Sequence, residues 1–146
     1  MSAVLAVDPG KTSGWASWVN DELQVGESPF LEMGNLAMQW LHQNDGIIVA
    51  ESFIINAATV RKSQAPWSLE VIGVLRYVCV RRGLPLVLQT PADAKRFTSD
   101  DVLKRLGWYT PGKGHANDTA RHLVLYLARS RDLDLSVLLP PANRLQ

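Results

Sequence analysis

VLAVDPGKTSGW, residues 4–15, is the stretch that decides the fold. The consecutive apolar residues within Ser2–Val7 read as a strand buried on both faces, since a half-exposed strand would alternate. Asp8-Pro-Gly10 then imposes a turn, because proline fixes φ and glycine tolerates φ > 0. Gly10-Lys11-Thr12 is similar to the end of a phosphate-binding P-loop. That eight-residue pattern needs glycine at position 5, where Leu5 stands, and the next segment reads as strand rather than helix. A P-loop is therefore excluded.

Working outward, Gly14–Val19 and Leu23–Glu27 read as two strands joined through Asn20-Asp21 as a hairpin. Helical spacing of Phe30, Met33, Leu36, Ala37, Trp40 and Leu41 predicts a helix over Phe30–His42. Ile47–Ala50 is a second continuous apolar strand, ending in Glu51. A long helix follows over Ser63–Arg82, then a strand at Leu86–Gln89 and a helical start at Pro91. Ser99 caps a further helix to Leu106, Gly107–Gly114 is a loop, and His115–Arg129 is the last clear helix. The expected fold class is α/β: a mixed five-stranded sheet, three antiparallel strands and then parallel crossovers, flanked by helices. Residues 1–146 read as one domain, with 131–146 as an extended C-terminal tail containing Pro140-Pro141.

A chain of 146 residues, 47% hydrophobic and 20% charged, has the composition of one domain with a real core, which excludes disordered and fibrous classes. No apolar run approaches the roughly 20 residues of a membrane span, so no membrane partner is expected. Met1–Val7 is too short for a signal peptide and lacks a basic leader. The single cysteine, Cys79, cannot form an internal disulfide, which suits a reducing cytoplasm, bacterial or that of a phage host. Net charge is only +1, yet residues 1–60 hold one base, Lys11, against seven acids, while 61–146 hold fourteen bases against seven acids. A polyanion can bind the basic half while cations gather at the acidic one.

Two buried strands each finish in a carboxylate, Asp8 and Glu51. If the strands are neighbours their ends lie about 5 Å apart, where ligand sites of open α/β sheets form. Two ionised carboxylates that close repel unless a cation sits between them. On the last helix His115, Asp118 and His122 share a face at spacings of three and four, with Ala116, Ala120, Leu123 and Leu127 roughly opposite. The first turn of that helix can thus offer His115 and Asp118 to the strand ends, while His122 is assigned a surface or packing role. Asp-Pro-Gly is often only a turn, and His-x-x-Asp at a helix start is often only a cap. Their combination in this order points to a metal site.

These residues resemble the RuvC-type Holliday junction resolvases of the ribonuclease H-like group. The resemblance rests on Leu5-Ala-Val-Asp8-Pro-Gly10-x-Thr12-x-Gly14-Trp15, Val49-Ala-Glu51-Ser-Phe-Ile and Gly114-His115-Ala-Asn-Asp118-Thr-Ala120, and spans about residues 2–130. It implies that Asp8, Glu51, His115 and Asp118 are the catalytic metal ligands. Some members carry Asp where His115 stands, and the nitrogen ligand makes manganese a good substitute for magnesium. It further implies a two-magnesium phosphodiester hydrolysis, giving 5′-phosphate and 3′-hydroxyl nicks, with no small-molecule cofactor. The short format suits a bacteriophage member. Lys95 and Lys104 are similar to DNA-contacting lysines of the family, although Lys95-Arg96-Phe97-Thr98-Ser99 lacks the glycine usual in that loop.

Branched DNA, four-way junctions above all, is the expected partner. Arg61, Lys62, Lys95, Arg96, Lys104, Arg105 and Lys113 are candidate phosphate contacts, Phe53 a candidate wedge between bases, and Trp108 a loop aromatic of interest. The long helix carries two adjoining stripes, Trp67, Val71, Val74, Val78 and Ile72, Leu75, Cys79. One stripe suffices for the sheet, so the first is assigned to a twofold homodimer, which supplies the paired nicks a symmetric junction needs. Two other readings stay open: a catalytically silent junction-binding protein, and a nuclease of the same fold acting on flaps, forks or other branched DNA. Sugar-kinase and actin-like phosphotransferases open with a similar strand turn but need a second domain, for which 146 residues leave no room.

Overall fold

The computed structural model of the chain describes residues 3–59, 61 and 65–130. Within them the strands are β1 (Ala3–Asp8), β2 (Thr12–Val19), β3 (Glu22–Pro29), β4 (Gly46–Glu51) and β5 (Leu86–Gln89). The helices are α1 (Phe30–Gln43), α2 (Ala65–Arg81), α3 (Pro91–Phe97), α4 (Asp100–Leu106) and α5 (Gly114–Arg129). The strands form one sheet in the order β3-β2-β1-β4-β5. β1 pairs antiparallel with β2 and parallel with β4, and β4 pairs parallel with β5. This is the mixed sheet expected from the sequence. Asn20 and Asp21, at φ 51° and 62°, form the tight hairpin turn whose twist matches that of strands β2 and β3.

The unbroken apolar runs of β1 and β4 are explained by cover on both faces. Leu5, Val7, Ile48 and Ala50 point to one side, where they pack with Met33, Ala37, Trp40 and Leu41 of α1 and Val71, Leu75, Val78 and Cys79 of α2. Val4, Ala6 and Val49 point to the other side and meet Leu123 and Leu127 of α5. Each such side chain removed from water contributes on the order of 1.5–3 kcal/mol. α4 closes the outer side of α5 through Leu103, Ala120 and Val124. Helix ends follow their local chemistry: the Thr90 hydroxyl accepts from Asp93 N at 3.1 Å, Ser99 accepts from Val102 N at 3.4 Å, and Gly107 ends α4 at φ 76°.

Two expectations need correction. Val71 and Val78, assigned to a dimer contact, are 2% and 4% exposed and belong to the core under α2, because α2 lies across the sheet on the edge between its two stripes. Only Val74 of that stripe is open to solvent, and Trp67 is partly buried against Phe30. Trp108 is no free loop aromatic. It packs on Trp18 at 5.2 Å between ring centres and joins the core beneath α4 and α5. Among the described residues no helix is long and apolar enough to cross a membrane. Lys62 and the 131–146 tail lie outside the described residues.

Gly14 sets the distance between β2 and the start of α5. A Cβ there would stand 2.6 Å from the Thr119 hydroxyl and 2.7 Å from the His115 carbonyl, which are themselves hydrogen-bonded at 2.6 Å. Gly14→Ala is therefore expected to lose about 1–3 kcal/mol of stability in urea unfolding with an unchanged m-value. A loss under about 0.5 kcal/mol would show that α5 is not held against β2.

Candidate active site

Strand parity places the site. Val4 and Ala6 face α5, so Asp8, two residues on, faces it too; Val49 does the same for Glu51. Val7 and Ala50 are paired across the parallel ladder, so Asp8 and Glu51 emerge side by side at the strand ends. α5 runs over them. His115 Nδ1 lies 3.5 Å from Asp8 Oδ2, and His122 Nε2 lies 2.8 Å from Glu51 Oε2. Asp8, Pro9, Gly10, Glu51, Ser52, Phe53, Ser68 and His115 line one cleft of about 340 Å³. The Asp8-Pro-Gly turn is fixed from below by the Ser68 hydroxyl, which donates to Pro9 O at 2.9 Å.

The electrostatics follow from this crowding. Asp8 is raised from 3.8 to about 6, first by burial and then by the negative Glu51, with Asp118 adding to it; the His115 contact works in the opposite direction. Asp118 stands one turn beyond His115, and its carboxylate meets Arg121 Nε at 3.4 Å. Arg121 also donates to Thr98 O at 2.8 Å and pairs with Asp100, whose carboxyl it holds below the usual range. This guanidinium ties α5 to the α3–α4 junction and holds Asp118 beside the neighbouring cleft. Asn117, also buried, brackets Thr110 with two hydrogen bonds of 2.8 and 2.9 Å and so fixes the loop before α5.

Of the four residues expected to ligate metal, Asp8, Glu51 and His115 line one cleft at the end of the sheet, while Asp118 lines the neighbouring one beside Arg121. Among the described residues no three His, Cys, Asp or Glu side chains stand close enough to hold one ion as they are turned. Glu51 is directed to His122, His115 to Asp8, and Asp118 to Arg121. The donor set nevertheless suits a hard divalent cation: three carboxylates and one imidazole, with a central carboxylate whose ionisation is opposed by its neighbours.

Phe53 lines the cleft. Lys113 shares a neighbouring cleft of about 390 Å³ with Tyr109, Asp118 and Arg121. Arg61, Lys95, Arg96, Lys104 and Arg105 are exposed but line neither cleft; Lys104 lies over the Tyr109 ring and Arg96 faces Asp93 at 3.9 Å. Of the two roles expected for His122, surface or packing, the structure takes the buried one: it is 1% exposed and is hydrogen-bonded to Glu51 and Gln89. What the sequence lacked was the position of Gln89.

No family model matches the chain, and no curated protein sequence matches it. Solved structures do. T. thermophilus RuvC in complex with a Holliday junction substrate superposes with a TM-score of 0.68 at 14% identity, covering 89% of this chain and 96% of that one. A second Thermus thermophilus RuvC structure gives 0.63 at 14% identity, over 88% and 96%. Fowlpox virus resolvase with its substrate Holliday junction DNA gives 0.52 at 14% identity, over 89% and 97%.

Because the native state holds the Asp8 proton to higher pH than the unfolded chain does, this contribution to stability is present below about pH 4 and lost as pH rises through about 6. In metal-chelating buffer at pH 7.5, Asp8→Asn is therefore expected to be more stable than wild type by on the order of 3 kcal/mol, the gap closing toward pH 4. Thermal melts across that range test it, and equal pH profiles would remove the repulsion argument. With strand order, parity and domain-length superposition in agreement, the chain has the ribonuclease H-like fold of the RuvC-type resolvases.

Proposed function

We propose that this chain is an endonuclease that resolves four-way DNA junctions by paired hydrolysis of phosphodiesters, leaving 5′-phosphate and 3′-hydroxyl nicks. The observation that carries the reading is the convergence of Asp8, Glu51 and the first turn of α5 on one open cleft at the strand ends. The wider likeness supports it, since two of the similar structures are described with Holliday junction DNA. Magnesium, with manganese as substitute, is the cofactor the donor set suits. Two such ions supply activation of the attacking water and stabilisation of the leaving 3′ oxygen.

The residues divide the work. Asp8, central and half-buried, would be the shared ligand, with Glu51, His115 and Asp118 completing the set. Arg121 keeps Asp118 from swinging into solvent. Lys113 offers its ammonium group to a phosphate beside Asp118, while Arg61, Lys95, Arg96, Lys104 and Arg105 extend the basic surface, each phosphate contact adding salt-sensitive affinity. Phe53, at the cleft wall, is placed to meet an unstacked base at a branch point.

Asp8→Asn is expected to abolish magnesium-dependent cleavage of a four-way junction, by at least about a thousandfold, while junction binding in chelator is retained. Four-way junctions, forks, flaps and linear duplex assayed side by side set the substrate class. Wild-type binding without nicking selects the silent binder, and preferred cleavage of flaps or forks selects the branched-DNA nuclease. Unchanged cleavage by Asp8→Asn overturns the site.

The paired nicks call for two copies. The α1–α2 face offers an apolar groove of about 590 Å³ between Leu31, Gly34, Met38, Val74 and Tyr77, with Tyr77 66% exposed and Met38 54%. We assign the homodimer contact to this groove, with Val74 from the expected stripe and Val71 and Val78 only as its floor. Tyr77→Glu is expected to convert a dimer to a folded monomer in light scattering. A monomeric wild type at micromolar concentration would overturn the assignment.

A further inference from the structure

The register between β4 and β5 sets Glu51 directly beside Gln89, and both side chains point to α5. His122 descends from α5 between them, one turn beyond Asp118. Its Nε2 is 2.8 Å from Glu51 Oε2, and its Nδ1 is 3.1 Å from the Gln89 side-chain amide. Gln89 is 4% exposed and His122 1%, so neither ring nitrogen has water as an alternative partner.

The donor inventory fixes the direction of this chain. An ionised carboxylate only accepts, so Nε2 must carry the proton toward Glu51. The Gln89 amide can present its oxygen to a second ring N–H or, turned over, its NH2 to a bare Nδ1; both settings leave Nε2–H aimed at Glu51. Packing does not call for such a chain. The surrounding contact between Val49, Leu123 and Leu127 is apolar, and burying an amide and an imidazole there costs stability unless every bond is made. What the chain does accomplish is to hold one Glu51 oxygen while Glu51 still lines the cleft beside Asp8. A glutamate left to rotate would lose on the order of 1–2 kcal/mol of side-chain freedom on capturing an ion.

We propose that His122, set by Gln89, is a positioning residue that holds Glu51 ready to ligate the divalent ion. The inference rests on the reading of Glu51 as a metal ligand. Loss of a partner that orients a ligand weakens metal affinity by about 10–100-fold.

The test is calorimetric titration of the whole protein with manganese and with magnesium alone, beside the magnesium dependence of junction cleavage. His122→Leu is expected to weaken binding of either ion and to raise the magnesium needed for half-maximal cleavage by about 10–100-fold. Junction binding in chelator should be unchanged. His122→Gln, which keeps an N–H within reach of Glu51, should recover most of the affinity, a rescue that a purely space-filling role would not give. Gln89→Leu tests the arrangement from its outer end should His122→Leu fail to fold, and is expected to shift affinity in the same direction. Affinity within twofold of wild type in folded His122→Leu, or in Gln89→Leu, overturns this inference alone. Equal impairment in the Leu and Gln variants of His122 also overturns it. A wild-type protein that binds neither ion overturns the reading of Glu51 itself, and this inference with it.

Discussion

The structure depends on the parallel pairing of β1 with β4, which brings two carboxylates to one point at the edge of the hydrophobic core. Both strands are sealed on both faces, so their register is not free to slip. A shift of one residue would turn Val4, Ala6 and Val49 away from α5 and drive Asp8 and Glu51 into the opposite core. With the register fixed, the charges meet in a half-buried setting, and burial together with the nearby Glu51 raises Asp8 to about 6. Much of what surrounds the pair manages that cost: His115 against Asp8, His122 against Glu51, and Arg121 against the nearby Asp118.

That β1 and β4 are buried strands ending in acids was legible from the chain because each has a strong local signature. Uninterrupted apolar runs such as Val4–Val7 and Ile47–Ala50, each stopped by an acid, specify buried parallel strands and name the residues at their ends. Asp118 and His115 were legible for a similar reason, since a helical repeat of three carries both to one side. His122 shares that repeat, but whether it meets water or protein depends on a strand outside the helix, and nothing near His122 in sequence announces Gln89. Arg121 is a comparable case. Its partners, Thr98 and Asp100, come from a helix junction more than twenty residues away, while its only local cue is the spacing of three from Asp118.

The two faces of the sheet differ in how they are finished. On the α5 side, α4, Trp108 and Tyr109 complete the cover, and His122 and Gln89, left inside, are bonded to each other. On the opposite side α1 and α2 meet through a close approach, where a Cβ on Gly34 would stand 2.6 Å from a Val74 methyl, and leave an apolar furrow open beside it. Periodicity alone detected the excess apolar width of α2 but divided it wrongly. The helix rests on the sheet along Val71, Leu75, Val78 and Cys79, which straddles both sequence stripes, so the surplus is Val74 and Tyr77 rather than one complete stripe. The orientation of a helix about its own axis is a tertiary property. Two adjoining stripes of similar hydrophobicity leave it undetermined.

The same sheet therefore carries stability and chemistry on a few shared residues. Leu123 and His122 are neighbours on α5, one fully buried against Val4 and Val49, the other holding a carboxylate of the cleft. Gly14 and Thr119 set the height of that helix over the strands to within a methyl group. A change that lifts α5 by an ångström would loosen the core and separate His115 from Asp8 together, since a rigid helix cannot move one without the other. Packing in this fold thus acts directly on the distances between its charged groups. The precision of the cleft is supplied from beneath it by the apolar contact of α5 with β1 and β4.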